Sequence, residues 1–97
     1  MFGVKQSFDF DLKQGACVRL VFHDLYNIRS QFLCVGFKSK LMAKTDKHLD
    51  GVVTSVKSSG KEFVFHAVCD IGSTYVVVDI EDINNGKLEI LELTPNH

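Results

Sequence analysis

Apolar and polar residues alternate along most of this chain, and that alternation sets its expected architecture. In VKQSFDFDL, residues 4–12, Val4, Phe8, Phe10 and Leu12 fall on one parity while Lys5, Ser7, Asp9 and Asp11 fall on the other; Gln6 is the one break. Successive side chains of a strand point to opposite faces, so this period of two reads as a half-buried strand. Lys13-Gln14-Gly15 is a turn signal, and ACVRLVF follows with Ala16, Val18, Leu20 and Phe22 on one side and Arg19 on the other. Two strands joined by a short turn predict a hairpin. HDLYNIR then breaks the pattern, as a loop or a single helical turn.

In RSQFLCVGFKSKLMAK, residues 29–44, the centre FLCVGF is apolar on both parities. This predicts a strand covered on both faces, with Gly36 at a bulge or a close backbone approach and the basic end in solvent. TDKHLDG reaches Gly51 too soon for an independent helix and reads as a turn or one helical turn. VVTSV, rich in branched residues, predicts a strand ending at the turn KSSG. KEFVFHAVCDI is the strongest core strand, with Phe63, Phe65, Ala67, Cys69 and Ile71 on one face. GST leads into a strand YVVVDIEDI, and NNG into KLEILEL, where the apolar parity shifts between Ile90 and Leu91 as at a bulge. The sum is an all-β fold, a small and mainly antiparallel barrel of six or seven strands. Its expected core holds Phe8, Phe10, Val18, Leu20, Phe32, Val35, Phe63, Phe65, Val76, Val78 and Ile80.

Composition narrows the class without changing that picture. The 97 residues are enough for a single domain spanning 1–97, and 45% hydrophobic with 24% charged residues is the balance of a folded chain. A formal net charge of -1 argues against a dominant attraction to polyanions or anionic lipid. No apolar run approaches the length of a membrane span, and the alternating start lacks the continuous apolar block of a signal peptide. The chain therefore reads as cytoplasmic. Cys17, Cys34 and Cys69 form an odd set with no CxxC pair, and each lies in an apolar context that reads as a buried free thiol.

Chemistry is sparse. His66 and Cys69 are three apart, which on a strand sends them to opposite faces, and His23, His48 and His97 have no spaced partner, so no metal site is assigned. Asp79, Glu81 and Asp82 alternate with Val78, Ile80 and Ile83 in the manner of a solvated outer face rather than a catalytic pair. Ser58 and Ser59 lie in a turn without the strand-elbow-helix context of a serine nucleophile, and no glycine-rich phosphate loop is present. No catalytic residue and no cofactor follow from the sequence. The one basic concentration is Arg29, Lys38, Lys40, Lys44 and Lys47, with Phe32 and Phe37 among them. Of these, Arg29, Lys38, Lys40 and Lys44 are the candidate binding residues, because small barrels can pair basic residues with aromatic stacking to hold nucleic acid.

Residues 14–93 resemble, in order and spacing, the N-terminal barrel of bacterial flagellar brake proteins, the domain that precedes a PilZ receptor domain for cyclic di-GMP. QGACVRLVF looks like that domain's opening glycine and strand. RSQFLCVGF looks like its arginine-started strand ending in an aliphatic-glycine-aromatic step, and GVVTSVKSSGKEFVFHAVCDI like its strand, turn and aromatic-rich strand. The PilZ domain's arginine-rich entry and its Asp/Asn-x-Ser-x-x-Gly strand have no counterpart, and ELTPNH stands where that entry would begin. The resemblance thus implies a split barrel used for protein contacts, without direct nucleotide binding. The expected function is a non-enzymatic β-barrel binding module, an accessory in bacterial signalling, that contacts another protein or itself and not a membrane. The alternative is a nucleic-acid or nucleotide binder acting through the basic segment 29–47.

Overall fold

A computed structural model describes residues 12–93. Strand β1 spans Cys17–Phe22, β2 Gln31–Phe32, β3 His48–Val56, β4 Glu62–Cys69, β5 Gly72–Asp79 and β6 Leu88–Glu92. Two short helices, α1 at Phe37–Met42 and α2 at Ile80–Asn84, and a 3₁₀ turn at Leu25–Asn27 complete the described elements. The strands form one sheet in the order β2-β5-β4-β3-β1-β6, and every pairing is antiparallel. The all-β class is therefore right in kind, whereas the barrel is not. Among the described residues β2 and β6 are the two edges, and the sheet does not close. It does curl: β1 and β2 are four places apart in the sheet, yet Phe22 and Phe32 bring their rings to 5.6 Å.

The central meander follows from turn chemistry. Lys57 N donates to the Glu62 carbonyl and Gly60, at φ 74°, supplies the left-handed corner between β3 and β4. Asp70 and Ile71 alone join β4 to β5, and Cys69 and Gly72 are the closing pair. One parity of each strand makes the core: Val18, Leu20 and Phe22 from β1, Leu49 and Val53 from β3, Phe63, Phe65 and Ala67 from β4, Val76 and Val78 from β5, Leu88 and Ile90 from β6. Phe37 and Leu41 of α1 and Ile83 of α2 add to the same cluster. At Gly51 a side chain is impossible without movement, since a Cβ there would lie 2.1 Å from the His66 carbonyl oxygen and 2.7 Å from the Phe65 ring. Glycine inside a strand marks such close backbone approach.

Several expectations are corrected. The first strand expected, residues 4–12, with Phe8 and Phe10, and its hairpin with β1 fall almost wholly outside the described residues. The strand expected across 29–37 stops after Gln31–Phe32. Gly36, at φ 83°, begins α1 instead of forming a bulge, and Phe37 and Leu41 then take the four-residue spacing of one helical face. Val35 sits in the turn before it and is 99% exposed, not core. Phe32 and Ile80 are half-buried against the core rather than inside it. Of the cysteines expected to be buried, Cys69 is half-buried, whereas Cys17 on the outer parity of β1 and Cys34 in the bend before α1 are exposed free thiols. The residues 44–50 are turn and then strand, with β3 starting at His48. The real register shift lies between Val53 and Ser55, where Thr54 is the extra residue, whereas β6 pairs with β1 from Leu88 to Glu92 without a break. The strand read through 75–83 ends at Asp79, whose carboxyl caps α2 by accepting a 2.9 Å hydrogen bond from Glu81 N.

Candidate functional site

The other parity of the same strands forms the outer face. Residues opposite one another on paired strands share a face, so Cys17, Val52, His66 and Tyr75 make one row across β1, β3, β4 and β5. Leu33 extends the row, because its N–H donates to the Tyr75 carbonyl at 2.8 Å as the next rung beyond β2. Val64 and Val77 form the neighbouring row, with Gln31 beyond them on β2. His66 and Tyr75 stack with ring centroids 4.4 Å apart. No described element covers this surface: Val68 is 69% exposed, Leu33 58% and Tyr75 47%. Large apolar groups left in water on one contiguous face mark an interaction surface more often than a bare exterior.

Charge on this face cancels locally. Arg19 and Asp50 are cross-strand partners joined by two hydrogen bonds, 2.6 and 3.0 Å. The Arg19 guanidinium holds the Asp50 carboxyl below its ordinary value through that hydrogen bond, and Asp50 in turn raises Arg19. Glu89 pairs with His23 at 3.1 Å and Asp46 with His48 at 2.6 Å. The half of the outer face built from β6, β1 and the start of β3 therefore carries hydrogen-bonded polar side chains, among them the Arg19–Asp50 ion pair, and the half built from β3, β4 and β5 is largely apolar.

The four candidate basic residues do not converge. Arg29 lines a cleft of 570 Å³ between the β3–β4 turn and the start of α2, together with Lys57, Lys61, Glu62, Asp79 and Glu81. Its guanidinium lies 3.6 Å from Asp79, and Lys57 lies 3.8 Å from Glu62, so the cleft carries as many carboxylates as cations. Lys38 lines a separate surface depression of 390 Å³ beside the loop 30–36. Lys40 lies in the last turn of α1, where a cation suits the unpaired carbonyls. Lys44 is committed to Asp70 at 2.8 Å, an interaction that raises the lysine and lowers the aspartate. Lys47 Nζ donates to the Lys44 carbonyl. Phe37 is buried, and Phe32 packs between it and Phe22, so both aromatic candidates serve the core.

One polar group is buried completely. Asp82, expected on a solvated face, is 0% exposed. Its carboxyl accepts hydrogen bonds from Arg29 N at 2.9 Å, Ser30 N at 2.8 Å and Ser30 Oγ at 2.5 Å, while Ser30 Oγ accepts one from Asp79 N at 2.9 Å. This clasp ties α2 to the chain entering β2. A buried carboxyl with both oxygens held by backbone and hydroxyl donors is a fastening. The legible signal for it was Asp79 followed by Glu81 and Asp82, an N-cap with acidic residues in the first turn, which announces a helix rather than a strand. Among the described residues no three His, Cys, Asp or Glu side chains are placed to hold a metal ion. No helix among them is long and apolar enough to cross a membrane.

The chain matches no protein-family model, and comparison with curated proteins and with solved structures likewise gave no match.

Proposed function

We propose that this chain is a non-enzymatic binding module that contacts another protein, or a second copy of itself, through the open outer face of its sheet. The observation that supports this reading is the uncovered row Cys17–Val52–His66–Tyr75 with Leu33 at its end and Val68 beside it. Desolvating such a row contributes roughly 25 cal/mol for each Å² of apolar surface removed from water. Dispersal of Arg29, Lys38, Lys40 and Lys44 over separate places, one of them neutralised by Asp70, leaves the nucleotide-binding alternative without an assembled groove. The resemblance to the brake-protein domain fits a protein-contacting accessory of bacterial signalling, acting in the cytoplasm.

The test compares the wild type with a Val68→Ser, Tyr75→Ser double variant. Sedimentation velocity across the micromolar range and co-purification from native lysate should show assembly by the wild type and its loss in the variant, with unfolding midpoints nearly equal. A wild type that sediments as a monomer and recovers no partner, or a variant that assembles as well as the wild type, overturns the reading.

A further inference from the structure

The geometry points to Asn85–Gly86 as a latent site of spontaneous deamidation that the Asp82 clasp keeps shut. An asparagine followed by glycine is chemically labile because no Cβ hinders the next backbone nitrogen. The Gly86 nitrogen attacks Asn85 Cγ, an N–C bond forms, the Cγ–Nδ2 bond breaks, and ammonia leaves carrying the proton from the Gly86 amide. Water then opens the five-membered imide at either carbonyl, leaving aspartate or isoaspartate at position 85. Both residues are exposed, so water reaches the pair.

The fold opposes the first step in two ways. Ring closure requires the Gly86 nitrogen to rotate about the Asn85 Cα–C bond until it eclipses Cβ, but Asn85 is held at φ -90° and ψ 3° as the C-cap of α2. The attacking nitrogen is also occupied, since Gly86 N donates to the Ile83 carbonyl at 3.1 Å while Asn85 N donates to the Glu81 carbonyl at 2.9 Å. Reaction must therefore wait for the last turn of α2 to open. That turn is anchored at Asp82, whose carboxyl holds Arg29 N and Ser30 and whose carbonyl accepts from Lys87 N at 2.9 Å, just beyond the labile pair. Opening of α2 and loss of the clasp are one event, so the deamidation rate reports how often that event occurs. The product is not neutral: a carboxylate at the C-terminal end of α2 opposes the helix dipole, and isoaspartate lengthens the backbone between α2 and β6.

The experiment follows loss of the Asn85 amide by peptide mass spectrometry in the intact chain held at mildly alkaline pH, both folded and in urea. The folded wild type should react more slowly than the denatured chain by about tenfold or more, the scale of one well-bonded opening. Ser30→Ala removes the hydroxyl's bond to the Asp82 carboxyl and the one it accepts from Asp79 N, and should raise the folded rate several-fold while leaving the rate in urea unchanged; circular dichroism confirms that the variant remains folded. Equal rates in the folded and denatured wild type, or a folded Ser30→Ala protein that reacts no faster, overturn the inference.

Discussion

The two faces of this sheet are written by the same strands in nearly the same apolar alphabet, and they end in opposite environments. On β4, Phe63, Phe65 and Ala67 are buried while Val64 and His66 are half-buried and Val68 lies open. On β5, Val76 and Val78 are buried beside half-buried Val77 and exposed Tyr75. Hydrophobicity alone does not separate the faces. What separates them is curvature: the face that carries Phe63 and Phe65 curls inward and is capped by α1, α2 and the 3₁₀ turn, and the face that carries Val64, Val68 and Tyr75 turns outward with nothing described above it. A strand that is apolar on both parities thus owes its buried side to what packs over it, not to the size of its side chains.

The largest expected effect tests that division directly. Phe65→Ala should lower unfolding stability by about 3–5 kcal/mol, a large part of what a domain of this size has. Val68→Ser, three residues along the same strand and on the other face, should stay within about 0.5 kcal/mol of the wild type. Urea unfolding of both variants checks the pair, and comparable losses would erase the distinction between the faces.

Next in size is the clasp. Asp82→Ala leaves Arg29 N and Ser30 N without their buried acceptor and should cost about 1–3 kcal/mol. Amide exchange at residues 29 and 30 should quicken more than exchange in β4, which locates the loss at the β2–α2 junction instead of the sheet centre. Uniform acceleration would show that the clasp belongs to the global core.

Acid pH should produce a smaller effect, from one ion pair on the outer face and one at the β4–β5 turn. Asp50 and Asp70 both titrate below the ordinary value of 3.8 because each accepts a hydrogen bond from a cation, Arg19 and Lys44 respectively. Their stabilisation is present in full above 3.8 and is lost as pH falls through the lower folded values. Lys44, which Asp70 raises above 10.5, keeps its share until pH climbs past that value. Unfolding midpoints of an Asp50→Asn, Asp70→Asn variant should lie slightly below the wild type at neutral pH and converge with it in acid; a constant gap would exclude the pairs as the cause.

The smallest effect belongs to the basic segment. Replacing Lys38, Lys40 and Lys44 with Gln should cost no more than the Lys44–Asp70 pair contributes, since surface ion pairs contribute little. Oligonucleotide or cyclic di-GMP titrations should be flat for both proteins. Salt-sensitive binding by the wild type that the variant loses would shift the functional face from the sheet to this segment.

Much of the sheet was legible because a period of two survives wherever one face is core. β1, β4 and most of β5 lie where Val18, Leu20, Phe63, Phe65, Val76 and Val78 place them. The two missed helices share one cause: apolar density reads as strand where local backbone chemistry favours helix. Gly36 opens α1 through a left-handed φ, and Asp79 opens α2 as a cap, and neither changes the hydrophobic count. Closure into a barrel was not legible, because periodicity gives faces but not edges. The exposed row was half legible. Both parities of YVVVDI demanded a cover, yet which strands would align Val52, His66 and Tyr75 depends on a register that no single strand contains.

The strand order also fixes how far along the chain each partner must travel. β3, β4 and β5 meet one another through short connections, so their ladder closes at small entropic cost. Val18 and Glu92, by contrast, come together from opposite ends of the described chain. Contacts close in sequence form first when nothing else distinguishes them, which makes the meander the nucleus of assembly and the β1–β6 seam its last step. Ala67→Gly in the meander should then slow folding, and Ile90→Val in the seam should chiefly hasten unfolding, in stopped-flow kinetics. The reverse assignment would mean that the ends of the chain find each other before its middle does.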